Sequence, residues 1–203
     1  NNWQEINIDK LNLQVPGWHI LFDSHLAYTL WKILNIDNTN IVKSLEWYTW
    51  VWRRMELLWN TINNNLFISD YAHHPTEITL TLDAIKNKYS NKKIITIFQP
   101  HQYSRTIELI EDFKTSFKDT DTLIIPNIYE SRDSKEDIES MNAQIFLDLI
   151  KHDDKIHWVD LKYTQKIISH LDQENKENAV FIILWAWDVD NLRYGINFKE
   201  QKK

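Results

Sequence analysis

The segment LFISDYAHHPTEITLTLDAIKNKY, residues 66–89, decides the fold. It opens with a short apolar run at 66–69, and from 75 to 89 apolar residues recur at helical spacing. Pro75 suits the first turn of a helix, and Glu77 suits the positive N-terminal end of the helix dipole. The segment therefore predicts a strand that leads directly into a helix.

The same change of pattern recurs towards the C-terminus. Further apolar runs are found at 93–98, 122–126, 156–160 and 179–184. Amphipathic stretches lie between them at 105–118, 138–151 and 163–171. Strands that alternate with helices predict an α/β fold with a mostly parallel, Rossmann-like sheet and flanking helices. Ligands of such sheets bind at the carboxyl ends of the strands, so the residues that follow each strand are the candidate site.

The first 62 residues follow a different plan. Three elements are predicted there: a strand at 11–15, a helix at 19–36, and a second helix that Asp37 caps and that ends near residue 46. Residues 47–60 show no regular pattern. The asparagines at 63–65 suggest a hinge, so a domain boundary is expected between residues 62 and 63.

Composition excludes several classes of protein. The net charge of -6 offers no basic stripe for nucleic acid, and the absence of cysteine excludes disulfide scaffolds and thiolate-ligated zinc. No apolar run approaches the roughly 20 residues that span a bilayer, and the N-terminus does not resemble a signal peptide. We therefore expect a cytoplasmic protein that binds neither nucleic acid nor membrane.

Asp70, His73 and His74 form the first candidate cluster, at the predicted end of a strand. An aspartate there can accept hydrogens from the hydroxyls of a ribose, and the histidines can donate to phosphates or carboxylates. A helix start with surface histidines explains the same residues without a ligand. A metal hydrolase would need further ligands, for which His101 is the nearby candidate, so no metal site is assigned.

A second cluster lies in FQPHQYSRT, residues 98–106, where another predicted strand meets a helix. His101 and Arg105 lie within one helical turn of each other and can grip a carboxylate, the arginine in bidentate fashion. Ser104 is the expected N-cap of the helix. A surface loop with an isolated arginine is the alternative.

Taken together, the two motifs resemble the C-terminal domain of the Mur ligase family, most closely the branch that joins L-alanine to UDP-N-acetylmuramate. Three further segments resemble this family: a helix-starting turn at 16–19, a linker with paired arginines at 48–56 and a nucleotide-side turn at 184–188. The resemblance assigns residues 1–62 to the end of the central ATP-binding domain plus the linker. It assigns residues 63–203 to the C-terminal domain.

The resemblance also implies an activity and roles for individual residues. These enzymes use ATP, with Mg²⁺, to convert the carboxylate of a UDP-sugar into an acyl phosphate, which the amine of an amino acid then attacks. His19, Arg54 and Asp70 are expected to bind the nucleotide, with Arg54 and His74 catalytic. The residues expected to bind the amino-acid substrate and the acyl phosphate are His73, His74, His101 and Arg105.

Several departures from the family pattern affect these expectations. Ile20 and Asp23 stand where the family has asparagines near the nucleotide base, and Gln102 stands where it often has arginine. The glycine-rich phosphate loop is absent, and the family carries it, with the magnesium ligands and the UDP-binding domain, upstream of this segment. We therefore expect the chain to be a fragment that is inactive alone.

Tryptophan occupies positions where the family has glycine. The chain has two glycines and ten tryptophans, and the replaced positions are Trp50, Trp52, Trp185 and Trp187, with Trp59 a further candidate. We hypothesise that a codon read as glycine in the source organism, UGA in some bacteria, has been translated as tryptophan. UGA in the genomic DNA at these positions would support this hypothesis, and UGG would contradict it.

Two other functions fit parts of the sequence. One is the related ligase that attaches a preformed tripeptide during wall recycling, although the motif at 101–105 favours the alanine branch. The other is a nucleotide-binding module without catalysis or a dehydrogenase, but the glycine-like turn follows the last strand, whereas a dinucleotide fingerprint follows the first. A pure interaction domain would leave both clusters unexplained.

Overall fold

The structure, a computed structural model, describes residues 11–48, 53–157, 161–184 and 189–199. The chain forms two compact units, residues 1–51 and 52–203. Among the described residues, none of the helices has both the length and the apolarity that crossing a bilayer demands.

The first unit contains two helices, α1 (Trp18–Ile33) and α2 (Asn38–Trp47). Gly17 precedes α1 with φ 124°, a value that side-chain-bearing residues rarely adopt. Asp37 caps α2 as predicted, because its carboxylate accepts hydrogen bonds from the amides of Thr39 and Asn40. The predicted strand at 11–15 is wrong: Val15 is buried, but the segment pairs with no strand among the residues that the structure describes.

The second unit is built on a six-stranded sheet, in the order β1-β2-β6-β3-β4-β5. Its strands are β1 (Glu56–Asn60), β2 (Leu66–Asp70), β3 (Lys93–Phe98), β4 (Thr122–Ile125), β5 (Lys155–His157) and β6 (Ala179–Leu184). Among these described strands, β1 alone runs antiparallel to its neighbour, and the other pairs are parallel. The prediction of an α/β fold with a mostly parallel sheet is confirmed.

Among the described residues, six helices connect these strands and a 3₁₀ helix follows β6. They are α3 (Pro75–Lys88), α4 (Tyr103–Glu108), α5 (Ile110–Ser116), α6 (Lys135–Ser140), α7 (Ala143–Leu149), α8 (Leu161–Glu174) and the 3₁₀ helix Val189–Gly195. The single helices predicted at 105–118 and 138–151 are each divided into two. Leu109 ends α4 and precedes α5, and the Asn142 side chain caps α7 through the amide of Ile145.

Strand β1 is the element that the sequence pattern misses. It pairs with β2 and closes a hairpin whose turn contains the asparagines at 63–65, which the sequence suggested as a hinge. The structural units divide between Val51 and Trp52, earlier than the predicted boundary after residue 62, because this hairpin belongs to the sheet.

Aromatic side chains fill the space around the sheet. Phe67 of β2 stacks on Phe181 of β6, with ring centroids 5.4 Å apart. Phe98 of β3 contacts Phe113, Phe117 and Phe146, which come from the region of α5 and α7. All six residues of the central strand β6 are buried. This packing fixes the carboxyl ends of β2 and β3, which carry both candidate clusters.

Candidate functional site

The two candidate clusters meet at one edge of the sheet. Asp70 ends β2, and Phe98, which precedes the second cluster, ends β3. Both strands run parallel to β6, which lies between them, so the residues that follow each strand emerge on the same side. The turn at 185–188, which follows β6 and includes Trp185 and Trp187, lies outside the described residues, as do Trp50 and Trp52.

Asp70 is held inside the protein. Its side chain is 1% exposed, and its two carboxylate oxygens accept hydrogen bonds from the amides of Met55, at 2.7 Å, and Ala72, at 2.8 Å. The Met55 amide belongs to the linker segment before β1, where Arg53 and Met55 both have positive φ. In this arrangement Asp70 fastens the linker to β2.

The start of α3 organises the first cluster. Glu77 accepts hydrogen bonds from the amides of His73, at 3.1 Å, and His74, at 3.2 Å, which satisfies donors at the helix N-terminus. The exposed ring of His74 accepts a hydrogen bond through Nδ1 from the Thr76 amide, so only its Nε2 can contact a substrate. The predictions that Pro75 begins the helix and that Glu77 lies at its positive end are confirmed.

Two acceptors hold one ring nitrogen of His73. Its Nδ1 lies 3.1 Å from the carbonyl oxygen of Tyr71 and 3.2 Å from a carboxylate oxygen of Glu77. Two acceptors at Nδ1 place the hydrogen of the neutral ring there, which leaves the lone pair on Nε2.

Arg54 completes the first cluster. Its guanidinium lies 3.8 Å from Glu77 and 5.7 Å above the centre of the Tyr71 ring, and its side chain is 42% exposed. An ion pair this exposed contributes about 0–1 kcal/mol, so the guanidinium can exchange Glu77 for a ligand at little cost.

Glu77 gives the cluster a dependence on pH. Burial alone would raise the pKa of Glu77, but the amides of His73 and His74 and the charges of His73 and Arg54 hold it below its ordinary 4.5. Because the folded pKa is the lower one, this stabilisation is complete above the unfolded value and is lost as pH falls through the folded value.

Replacing Glu77 by glutamine is therefore expected to lower the free energy of unfolding by about 0.3–1 kcal/mol at neutral pH, because glutamine keeps the side-chain acceptor but loses the negative charge that the helix N-terminus favours. The difference should diminish as the pH falls below 4.5 and wild-type Glu77 also loses its charge. Urea titrations at neutral pH and at a series of acidic pH values measure it, with Asp83→Asn on the exposed face of α3 as the control. If the difference in the free energy of unfolding were equally large at acidic pH, the stabilisation could not come from the charge of Glu77.

The second cluster is carried by α4 and the residues before it. The ring of His101 stacks on Tyr129, with centroids 5.5 Å apart and planes 10° apart. Arg105 lies in α4. Ser104 is not the predicted N-cap: α4 begins at Tyr103, and both the amide and the hydroxyl of Ser104 donate to Asp133.

Electrostatics connects the two clusters. Burial lowers the pKa of His101 below its ordinary 6.5, and the charges of Arg105 and His73 lower it further, while Asp133 raises it. Burial also lowers the pKa of His73, and the charges of Arg105 and Arg54 lower it further. The hydrogen bond to Tyr71 and the charge of Glu77 raise this pKa but do not offset the decrease. Both rings are therefore mainly neutral at pH 7, and a neutral imidazole can accept a hydrogen bond on one nitrogen.

The remaining predicted residue, His19, belongs to the first unit, near the start of α1. Its Nδ1 is buried and makes no hydrogen bond within the described parts of the chain. The structure thus brings together Arg54, His73, His101 and Arg105, with His74 at the cap of α3. The carboxylate of Asp70, at the end of β2, is held by the amides of Met55 and Ala72.

Sequence reasoning missed two residues at this edge, Tyr129 and Asp133. Both follow β4, whose carboxyl end shares the edge with β2 and β3. Their position after a strand could have indicated that they belong to the site. The segment, however, contains no motif that singles them out.

Comparison with known proteins gives a consistent result. Residues 53–184 match the family described as Mur ligase, glutamate ligase domain. The UDP-N-acetylmuramate–L-alanine ligase of Clostridium tetani is 37% identical over 180 residues, which cover 89% of this chain and 38% of the relative. The enzyme of the same name from Alkaliphilus metalliredigens is 38% identical over 182 residues, with 90% and 38% covered.

Solved structures agree with the sequence relatives. The crystal structure of UDP-N-acetylmuramate-alanine ligase from Thermotoga maritima superposes with a TM-score of 0.72 at 26% identity, covering 90% of this chain and 37% of that one. The chain thus spans less than two-fifths of the length of these relatives.

Proposed function

The chain belongs to the Mur ligase family, and from this premise we propose that it is the C-terminal part of an enzyme that joins L-alanine to UDP-N-acetylmuramate at the expense of ATP. The observation that carries the proposal is the convergence of Arg54, His73, His101 and Arg105 at one edge of the sheet. The two cations can stabilise the negative charge of a phosphoryl group and a carboxylate, and the two neutral imidazoles can accept hydrogen bonds from an amine.

The proposed reaction has two steps. A carboxylate oxygen of the UDP-sugar attacks the γ-phosphorus of ATP, ADP leaves, and an acyl phosphate forms. The amine of alanine then attacks the acyl carbon, an amide bond forms, and inorganic phosphate leaves with the oxygen that bridged carbon and phosphorus.

Arg54 is proposed to bind the phosphates as negative charge redistributes over them. Its contacts support this role, because the weak pair with Glu77 leaves the guanidinium able to reorient. Arg105 is proposed to grip the carboxylate of the amino acid, next to His101. The neutral ring of His73, with its lone pair on Nε2, can accept a hydrogen bond or a proton from the attacking amine. We propose that His74 contacts the same substrate through Nε2.

Within the second unit, Arg54 and Asp70 are proposed to bind the nucleotide. For His19, in the first unit, a part in nucleotide binding is proposed from the family resemblance alone. For Asp70 the role carries a condition: its carboxylate must first release the Met55 amide before a ribose can reach it. We expect Mg²⁺ to accompany ATP, with ligands from an upstream phosphate loop as the resemblance implies.

The proposal includes further chain upstream. Helix α1 exposes an apolar stripe of Trp18, Phe22, Leu26 and Leu30, each between 55% and 67% exposed. Side chains four residues apart share one helical face, and such a face normally packs against a core. We propose that the rest of the central domain covers it and that the enzyme acts in the cytoplasm, where nucleotide-linked substrates are available. Without that domain this chain is expected to be inactive.

A competition experiment tests the choice of amino acid. The intact gene product, made with the source organism's genetic code, is supplied with ATP, UDP-N-acetylmuramate and equal amounts of L-alanine, glycine, L-serine and the tripeptide. We expect the L-alanine amide to dominate in the product mass spectrum. A tripeptide product would instead identify a recycling ligase, and nucleotide binding without any amide would identify a non-catalytic module.

A further inference from the structure

The loop after β4, residues 126–134, holds the segment that carries His101. The amide of Gln102 donates to the Tyr129 carbonyl, and the amide of Tyr129 donates to the Pro100 carbonyl, both at 2.8 Å. The Tyr129 ring stacks on the His101 ring. The backbone on both sides of His101 is thus fixed by a single neighbouring residue.

Asp133 fixes the other end of the same segment. One carboxylate oxygen accepts hydrogen bonds from Ser104, the amide at 3.0 Å and the hydroxyl at 3.3 Å. The other oxygen accepts from the Ser131 amide at 2.9 Å, which fastens Asp133 to its own loop. Asp133 therefore links the two loops through a single carboxylate.

Helix α4 depends on this external contact. The residue at its N-cap position, Gln102, has φ 74° and makes no side-chain cap hydrogen bond. Asp133, 29 positions from Ser104, supplies the acceptor that a local N-cap residue would normally provide. Since positive φ is unfavourable for glutamine, the turn at 102 requires such outside support.

The charge of Asp133 suits this task. Burial would raise the pKa of Asp133, but hydrogen bonds from the amides of Ser131, Ser104 and Tyr103 and from the Ser104 hydroxyl hold it below its ordinary 3.8. The carboxylate is therefore ionised throughout the neutral range, where its hydrogen bonds are the stronger, charge-assisted kind.

We propose that Asp133, acting with Tyr129, is a positioning residue that holds His101 and Arg105 in the geometry needed to bind the amino-acid substrate. Arg105 follows Ser104 directly, and His101 precedes the strained turn at Gln102, so displacement of this segment moves both side chains. The inference rests on the proposed function for the identity of the substrate. The hydrogen bonds between the two loops do not depend on the proposed function.

The first test follows the position of His101 in the 203-residue chain by NMR. Nuclear Overhauser contacts between the His101 and Tyr129 rings are expected in the wild type and are expected to be lost in Asp133→Ala. Asp137→Ala is the matched control, because the Asp137 carboxylate bonds to Ser134 at the start of the neighbouring helix α6 and not to Ser104 in the described structure. Ring contacts that persist in Asp133→Ala would overturn the proposal.

The second test measures kinetics of the intact gene product. Asp133→Ala is expected to raise KM for L-alanine about 10–100-fold and to leave KM for ATP within about twofold, because misplacement by about 1 Å has effects of this size. Asp133→Glu should restore part of the loss. An unchanged KM for L-alanine, or an equal rise for both substrates, would overturn the positioning role.

The two tests separate this inference from the proposed function. If the wild-type gene product forms no amide, the proposed function fails, while the NMR contacts still decide whether Asp133 positions the His101 segment. If the wild type is active and the ring contacts disappear without a change in KM for L-alanine, the positioning proposal alone fails.

Discussion

Replacing Arg54 by alanine in the intact gene product is expected to lower kcat/KM by about 10²–10³-fold, the usual effect of removing one preorganised donor from a developing charge. The loss should be mainly in kcat, because the interaction strengthens as charge redistributes over the phosphates. Stability should hardly change, since Arg54 is 42% exposed and its pair with Glu77 spans 3.8 Å.

Two further variants make this result specific. Arg54→Lys keeps the charge but loses the planar, bidentate geometry, so it should recover only part of the activity. Lys88→Ala removes an exposed cation at the far end of α3 and should leave kcat/KM unchanged. Steady-state kinetics with each substrate varied in turn provide the measurement. Wild-type activity in Arg54→Ala would remove this residue from the catalytic site.

The second large effect concerns Asp172, on α8, which holds the β1–β2 hairpin. Its side chain is 7% exposed and accepts hydrogen bonds from the Thr61 hydroxyl at 2.6 Å and from the side-chain amides of Asn63 at 2.6 Å and Asn65 at 2.7 Å. Asn65 in turn accepts from the Ala179 amide at the start of β6. One carboxylate thus joins α8, the hairpin turn and the central strand.

Asp172→Ala is expected to lower the free energy of unfolding by about 2–4 kcal/mol. The buried Thr61 hydroxyl loses its carboxylate acceptor, and the side-chain amide of Asn65 loses one of its two acceptors and keeps the main-chain carbonyl of residue 172. Urea unfolding of the 203-residue chain, followed through amide signals of β2 and β6, measures the loss. Asp83→Ala is the control: that exposed aspartate accepts from Asn87 on its own helix, and its loss should cost less than about 0.5 kcal/mol. Equal stability of the two variants would contradict the proposed role of the network.

The elements that could be predicted are those whose pattern is local. The strands β2, β3 and β6 are buried runs bounded by polar residues, and α3 has a proline and a glutamate in its first turn. Strand β1 could not be predicted in this way, because its pairing with β2 shifts register between Leu57 and Trp59, which breaks the two-residue alternation. The segment at 11–15 has that alternation but no neighbouring strand in the described parts of the chain, and a strand needs a partner.

The same distinction applies to the candidate site. Asp70, His73, His101 and Arg105 lie in short motifs next to strand ends, so their common edge follows from parallel topology alone. The contacts made by Asp133 and Tyr129 depend on how the loop after β4 folds back onto the loop after β3. No local pattern encodes that contact, and Ser104 resembled an N-cap because its true partner lies 29 residues away.

The most direct test of the central claim uses UDP-N-acetylmuramate labelled with ¹⁸O in its carboxylate, together with ATP, L-alanine and the intact gene product. An acyl-phosphate route passes one labelled oxygen from each carboxylate to the phosphate that leaves, so we expect amide product and singly labelled inorganic phosphate in equal amounts. Unlabelled phosphate, or hydrolysis of ATP without amide, would contradict the assignment of this chain to an alanine-adding ligase.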